Sequence, residues 1–145
     1  MAEYSYEGIF RDLKAGKFAP VYFFAGEEPF YAQRLIDYIE HHALDEAERS
    51  FNQTVLYGKE ANMLQILEEA KRFPMMSERV VVVVKEAQHL KAADWEHLMK
   101  YLDQPQPSTV LVFGHMHKKL DKRSKAGKAI KAKTVFLESA QLRDY

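Results

Sequence analysis

The sequence predicts an α/β domain with three layers and a five-stranded, mostly parallel sheet. Apolar segments of strand length alternate with helix-periodic segments, at spacings that allow right-handed crossovers. In addition, the valines at 80–84 follow one another without a polar residue, which is typical of a strand covered on both faces. The chain has 145 residues, and neither a low-complexity tract nor a flexible linker divides it. We therefore expect a single domain over residues 1–145.

The chain opens with a predicted helix, a strand and a second helix. An apolar stripe at helical spacing marks the first helix and consists of Tyr6, Ile9, Phe10 and Leu13. Gly16 follows it as a candidate C-terminal cap. Residues 21–26 form a short apolar run of strand formers, and Pro29 is typical of the first turn of a helix. The face of that second helix is predicted to contain Leu35, Tyr38, Ile39 and His42.

A second strand, a third helix and the valine-rich strand follow. Residues 51–57 are predicted as the second strand, which Gly58 closes. Asn62 is a candidate N-cap of the third helix. The apolar face of that helix comprises Met63, Ile66, Leu67 and Ala70. Pro74 ends it, and residues 79–84 form the valine-rich strand.

The last third of the chain contains two more helices and two more strands. Asp94 is a candidate N-cap of the fourth helix. The apolar stripe of that helix comprises Trp95, Leu98, Met99 and Leu102. Two prolines end it, and residues 109–114 are predicted as a strand. A Lys-rich stretch then contains a weak helix near 124–131, and residues 134–137 are predicted as the fifth strand.

Composition excludes several classes of function. The sequence has no cysteine, which excludes disulfides, thiolate metal sites and a cysteine nucleophile, and is typical of the reducing cytoplasm. The 21 basic and 21 acidic residues balance, so the chain as a whole is not a strongly basic nucleic-acid binder. No apolar stretch approaches the roughly 18 residues of a membrane span. The acidic N-terminus has no apolar signal-peptide core.

The turn after the first predicted strand is where a nucleotide-binding protein of this class holds phosphates. Such a turn needs a second glycine, a lysine and a Ser or Thr at fixed distances after Gly26. Those three places hold Tyr31, Ala32 and Gln33. Glu27 and Glu28 would repel phosphate, and we interpret them as favourable charges at a helix N-terminus.

Other catalytic patterns are also weak. Lys85 follows the valine-rich strand, where a nucleotide hydrolase normally carries an Asp that holds its metal ion. His115 and His117 form a His-x-His pair without a carboxylate nearby, and we interpret them as solvated loop residues. No serine lies in a Gly-x-Ser-x-Gly turn. The sequence therefore predicts no catalytic residue, no cofactor and no metal site.

Two segments are candidates for contacts with other macromolecules. Residues 118–133 contain eight Lys or Arg and one acidic residue, Asp121. This composition is compatible with a contact to phosphate groups or with a solvated surface. We favour the solvated surface, because no aromatic residue is present to stack on bases. Met75 and Met76 are adjacent in the connection before the valine-rich strand. They either close the end of the sheet or bind an apolar pocket of a partner, and the residues alone favour neither interpretation.

Four segments occur in an order that matches a known family. They are APVYFFAGEEPF at 19–30, RVVVVVKEA at 79–87, PSTVLVF at 107–113 and LDKR at 120–123. With these segments the chain resembles delta subunits of the bacterial DNA polymerase III clamp loader over nearly its whole length. The resemblance implies an AAA+-like domain of the P-loop NTPase type whose nucleotide site is degenerate. It also implies a subunit without ATPase activity, within a DNA polymerase holoenzyme that acts in DNA replication in the cytoplasm.

The same resemblance implies a contact with the ring-shaped beta sliding clamp. The family's clamp contact is an apolar pair, often Leu-Phe, just before the central strand, and Met75 and Met76 occupy the matching positions. The flanking residues are Phe73, Pro74, Ser77 and Arg79. The other implied partners are the gamma/tau and delta-prime subunits, with DNA contacted weakly or indirectly. Family members continue into lid and collar domains, which we expect to be absent from this chain.

We therefore favour a non-catalytic subunit that binds the sliding clamp and promotes its opening for loading onto DNA. One alternative is a nucleotide or phosphoester hydrolase on the same scaffold. Another is a DNA-binding adaptor that uses residues 118–133.

Overall fold

The computed structural model describes residues 4–118 and 120–139. Its helices are α1 (Tyr6–Lys14), α2 (Phe30–His42), α3 (Glu46–Asn52), α4 (Met63–Ala70), α5 (Ala92–Asp103) and α6 (Lys125–Lys133). Its strands are β1 (Val21–Gly26), β2 (Gln53–Tyr57), β3 (Val80–Lys85), β4 (Thr109–Met116) and β5 (Val135–Ser139). A 3-10 turn, Ala87–His89, follows β3. Within these described residues, no helix is both long and apolar enough to cross a membrane.

The strands form one sheet in the order β2-β3-β4-β1-β5, and each neighbouring pair is parallel. This confirms the predicted fold class. Because the strands are parallel, all their carboxyl ends lie at one edge of the sheet and all their amino ends at the other. The connection from α4 to β3 therefore lies at the amino edge, and the turn from β1 to α2 lies at the carboxyl edge.

The valine run at 80–84 packs against helices on both faces of the sheet, which gives the fold its three layers. Val81 and Val83 belong to a core cluster that contains the buried residues of α1 and α2. Val80, Val82 and Val84 belong to a second cluster, on the face covered by α4, α5 and α6. All five side chains are fully buried, and each contributes roughly 1.5–3 kcal/mol relative to an exposed valine. The strand lacks polar alternation because helices cover both of its faces.

Helix α3 corrects the predicted strand 51–57. Phe51 and Asn52 are the last two residues of α3, and β2 begins only at Gln53. The helix starts with a capping box, in which the Asp45 N–H donates to Glu48 Oε1 at 3.0 Å. Residues that favour β-strands follow this short helix directly, so the sequence pattern does not show where the helix ends.

The predicted role of Asp94 as an N-cap is wrong, because α5 begins at Ala92 and its N-cap is Lys91, three residues before the predicted position. Asp94 lies in the first turn of α5, where Oδ2 accepts a hydrogen bond from the Lys91 N–H at 2.8 Å. Oδ1 accepts from the Met63 N–H at 2.9 Å. One carboxylate therefore stabilises the N-termini of both α4 and α5. His42, predicted on the apolar face of α2, is exposed and stacks on the Tyr38 ring.

Candidate protein-binding site

The loop between α4 and β3 exposes three large apolar side chains. Phe73 is 79% exposed, Met75 is 57% exposed and Met76 is fully exposed. Met63 and Met116, in contrast, are buried in the core. Apolar side chains that are exposed together in one loop are typical of a surface that binds another protein.

The Asn52 side chain fixes the backbone of this loop. Asn52 is buried at the end of α3, and its Oδ1 accepts a hydrogen bond from the Met75 N–H at 2.6 Å. Its Nδ2 donates to the carbonyl oxygens of Met75, at 2.9 Å, and Glu48, at 3.0 Å. One side chain thus satisfies both backbone groups of Met75 and ties them to α3.

Two arginines hold the loop at its ends. Arg72, just after α4, donates from Nη1 to the Phe51 carbonyl oxygen at 3.4 Å. Arg79, just before β3, donates from Nη1 to the Ala43 carbonyl oxygen at 2.8 Å. The Arg79 guanidinium also lies 4.6 Å from the centre of the Phe18 ring. The two ends of the loop are therefore bound to the domain, while its apolar tip is exposed.

Met76 has an unusual backbone conformation at this tip. Its φ of +55° lies in the left-handed region, which residues other than glycine rarely adopt. Such a conformation persists only where the surrounding structure fixes it. The hydrogen bonds from Asn52 to the preceding residue, Met75, provide that restraint on one side.

The predicted site residues divide between the tip and the base of the loop. Phe73, Met75 and Met76 form the exposed tip, so the two methionines do not close the end of the sheet. Pro74 and Ser77 are partly buried below it. The Arg79 side chain extends toward the domain rather than toward solvent.

The prediction of a strand at 51–57 placed Phe51 and Asn52 in the sheet and not beside this loop. Phe51 is 64% exposed, and Asn52 makes the loop contacts described above. A signal was present, since Asp45 and Glu48 have the spacing of a capping box and so predict a helix starting at Glu46. The hydrogen bonds from Asn52 to Met75, which is 23 positions away, have no local sequence signal.

Internal contacts close the β1–α2 turn at the opposite edge of the sheet. Gly26 has a φ of +128°, and a side chain there would collide with the Ser139 backbone. The Gly26 carbonyl oxygen accepts a hydrogen bond from the His117 N–H at 3.0 Å. The Phe30 N–H donates to the Glu28 carboxylate at 3.2 Å. A carboxylate of the protein therefore caps the N-terminus of α2, where a nucleotide-binding relative would hold phosphate.

Lys85 forms an ion pair at the carboxyl end of β3. Its Nζ lies 2.9 Å from Glu40 Oε1, on α2. Burial acts to lower the pKa of Lys85, but the hydrogen bond and the charge of Glu40 outweigh it, so the pKa is above its ordinary value. A charged ammonium thus occupies the place of the carboxylate that a nucleotide hydrolase uses to hold its metal ion.

A cleft of about 700 Å³ lies at this carboxyl edge. Its lining includes Glu28, Arg34, Lys85 and Glu86, which carry charges of both signs. The Arg34 guanidinium lies 5.7 Å from the centre of the Phe30 ring, and Lys85 is paired with Glu40. A cleft with this lining is a poor site for the phosphates of a nucleotide, because its cations are engaged and its carboxylates repel anions.

His115 is not a solvated loop residue, because β4 extends beyond the predicted end at 114. His115 is buried in the strand, with its ring 5.8 Å from that of Phe23 and 6.1 Å from that of Trp95, centre to centre. Its Nδ1–H donates to the Lys118 carbonyl oxygen at 3.1 Å. Burial lowers the pKa of His115 below its ordinary value. Among the residues that the structure describes, no three His, Asp or Glu side chains cluster as metal ligands would.

The described basic residues of segment 118–133 lie on the surface. Lys122 Nζ is 2.6 Å from Glu138 Oε1, and Lys133 pairs with Asp103. The remaining lysines of α6 are exposed, namely Lys125, Lys128 and Lys131. This arrangement fits the solvated surface that we favour from the sequence.

Sequence comparison relates the chain to replication proteins. Residues 22–140 match the family model described as DNA polymerase III, delta subunit. The chain is 32% identical over 142 residues to the DNA polymerase III subunit delta of Bacillus subtilis. That match covers 92% of this chain and 41% of the relative, so the chain spans less than half of the relative's length.

Solved structures of replication proteins are also similar to this chain. The Bacillus subtilis DNA clamp loader delta protein (YqeN) matches with a TM-score of 0.82 and 27% identity, over 95% of this chain and 43% of that one. A DNA polymerase III gamma-subunit-related protein from Thermotoga maritima matches with a TM-score of 0.58 and 16% identity, over 92% of this chain and 45% of that one. The second match shows the fold alone, which is the three-layer α/β domain with a parallel sheet that the sequence predicts.

Proposed function

Since the chain belongs to the DNA polymerase III delta-subunit family, we propose that it binds the sliding clamp through the loop between α4 and β3 and promotes opening of the ring. The observation that carries this proposal is the exposure of Met75 and Met76 on a loop whose backbone the domain holds in place. Methionine is flexible and polarizable, so it suits insertion into an apolar pocket of a partner.

Binding of this kind requires no catalytic step in the domain. Burying a methionine side chain contributes roughly 1.5–3 kcal/mol, and two adjacent side chains can together anchor a small interface. Phe73 at the tip of the loop adds apolar area next to the pair. Polar atoms of the surrounding loop would form the rim of the contact.

Promotion of ring opening follows from a difference in affinity. A ligand shifts an equilibrium between two states only by as much as it binds one of them more tightly. We propose that the domain binds the open form of the clamp more tightly than the closed form. ATP would then act on sister subunits of the clamp loader and control when this loop is accessible.

The proposal assigns the chain to the N-terminal part of a replication protein of the cytoplasm. We expect DNA contacts of this domain to be weak or indirect, because part of the basic segment is paired internally. The hydrolase alternative is disfavoured, because Glu28 and Lys85 place charges of the wrong sign for phosphate and for metal.

The test is a calorimetric titration of this chain with the purified sliding clamp of the same organism. We expect saturable binding in buffer without nucleotide, and no saturable heat when Mg-ATP is titrated into the chain alone. Failure to bind the clamp at tens of micromolar, or binding only when ATP is present, would contradict the proposal. Micromolar affinity for Mg-ATP with turnover would restore the hydrolase alternative.

A further inference from the structure

We propose that Asn52 is a positioning residue for the clamp contact. Its side-chain amide fixes the backbone of Met75 and so sets the direction in which Met75 and Met76 leave the domain. This inference rests on the proposed function, and it adds a residue outside the segment that the resemblance assigns to the clamp.

The chemistry of the contact favours asparagine at this position. The Met75 N–H needs an acceptor and the Met75 carbonyl oxygen needs a donor, and the Asn52 amide supplies both, at 2.6 and 2.9 Å. Aspartate would lack the donor, and alanine would lack both groups. The same Nδ2 also bonds to the Glu48 carbonyl oxygen at 3.0 Å, so the amide is held by its own helix while it holds the loop.

The position of this contact explains why it affects binding. Met75 precedes Met76, whose φ of +55° needs a fixed environment. A loop that is ordered before it meets its partner loses less conformational entropy on binding than a mobile one. Asn52 is fully buried, so it would act through the loop without touching the clamp itself.

Gln53 provides a matched control. Its Nε2 donates to the Glu40 carbonyl oxygen at 2.9 Å, so it too is a side-chain amide bonded to a backbone carbonyl, but it holds α2 and not the loop. We expect Asn52→Ala to weaken binding to the purified clamp at least tenfold, and Gln53→Ala to leave it within threefold, with both variants shown to be folded by their unfolding curves. Wild-type affinity in folded Asn52→Ala, or an equal loss in both variants, would overturn the inference.

Hydrogen exchange of the Met75 amide tests the same point in the wild-type chain without a partner. We expect this amide to exchange at least tenfold more slowly than an unbonded amide, although it lies in an exposed loop. In Asn52→Ala the protection should be lost at Met75 and kept in β3. An unprotected Met75 amide in the wild-type chain would overturn the inference even if Asn52→Ala fails to fold. If the wild-type chain does not bind the clamp at all, the proposed function fails, whereas the exchange result still decides whether Asn52 orders the loop.

Discussion

At the scale of residues, contacts within the protein occupy the places where a nucleotide-binding protein of this class holds phosphate and metal. The Glu28 carboxylate accepts the hydrogen bond that the first N–H of α2 could give to a phosphate. Lys85 bonds to Glu40 in the place of a metal-binding carboxylate. The Glu28 carboxylate and the Lys85 ammonium are therefore each in contact with a neighbouring group of the protein.

The buried His115 gives a prediction about pH. Burial lowers its folded pKa, so the unfolded chain binds a proton more readily than the folded one. The stabilising effect is complete above the ordinary histidine pKa of about 6.5 and is lost as the pH falls from there through the folded pKa. The free energy of unfolding should therefore fall below pH 6.5, and His115→Gln should reduce that fall.

Urea denaturation at pH 7.5 and pH 5.5 measures the effect. His42→Gln is the control for the loss of a histidine elsewhere in the fold, because His42 is exposed and lies outside the core around His115. If His115→Gln and the wild type lose the same stability between the two pH values, His115 is not the group responsible.

At the scale of elements, the sequence predicts those helices and strands whose signals lie within a short stretch of the chain. The valine run at 80–84 predicted a strand covered on both faces, and Asn62 predicted the start of α4, whose Gln65 N–H it caps. The short helix α3 was missed because its last residues, Phe51 and Asn52, continue directly into β2. Its end is fixed by hydrogen bonds to a loop far along the chain, and no window of sequence contains both partners.

The basic segment 118–133 gives a prediction for one element. Replacing Lys122, Arg123 and Lys125 together by Ala should leave clamp affinity within about tenfold, because the three residues lie outside the proposed contact and most exposed charges contribute well below about 1 kcal/mol each. The Lys122–Glu138 pair is also partly exposed, so the fold should be retained. The measurement is the clamp titration at two salt concentrations. Complete loss of binding would move the partner site to this segment.

At the scale of the whole molecule, the two edges of the parallel sheet differ. The carboxyl edge carries the altered nucleotide turn, and the amino edge carries the exposed loop of Met75 and Met76. A partner bound at the amino edge would therefore lie at the opposite edge of the sheet from the β1–α2 turn. The residues alone could not predict whether the pair is exposed, because adjacent methionines before a strand are equally compatible with a buried end of the sheet, whereas the resemblance favoured a pair that binds a partner.

Clamp binding by Met75→Ala/Met76→Ala tests the proposed contact of this loop most directly. The double variant should lose about 2–5 kcal/mol of binding free energy, because two apolar anchors are removed. Its free energy of unfolding should change by about 1 kcal/mol or less, because both side chains are exposed. Phe30→Ala/Leu64→Ala removes two exposed apolar side chains elsewhere, and should bind as the wild type does. A folded Met75→Ala/Met76→Ala variant that binds the clamp with wild-type affinity would contradict the proposal that these two side chains form the clamp contact.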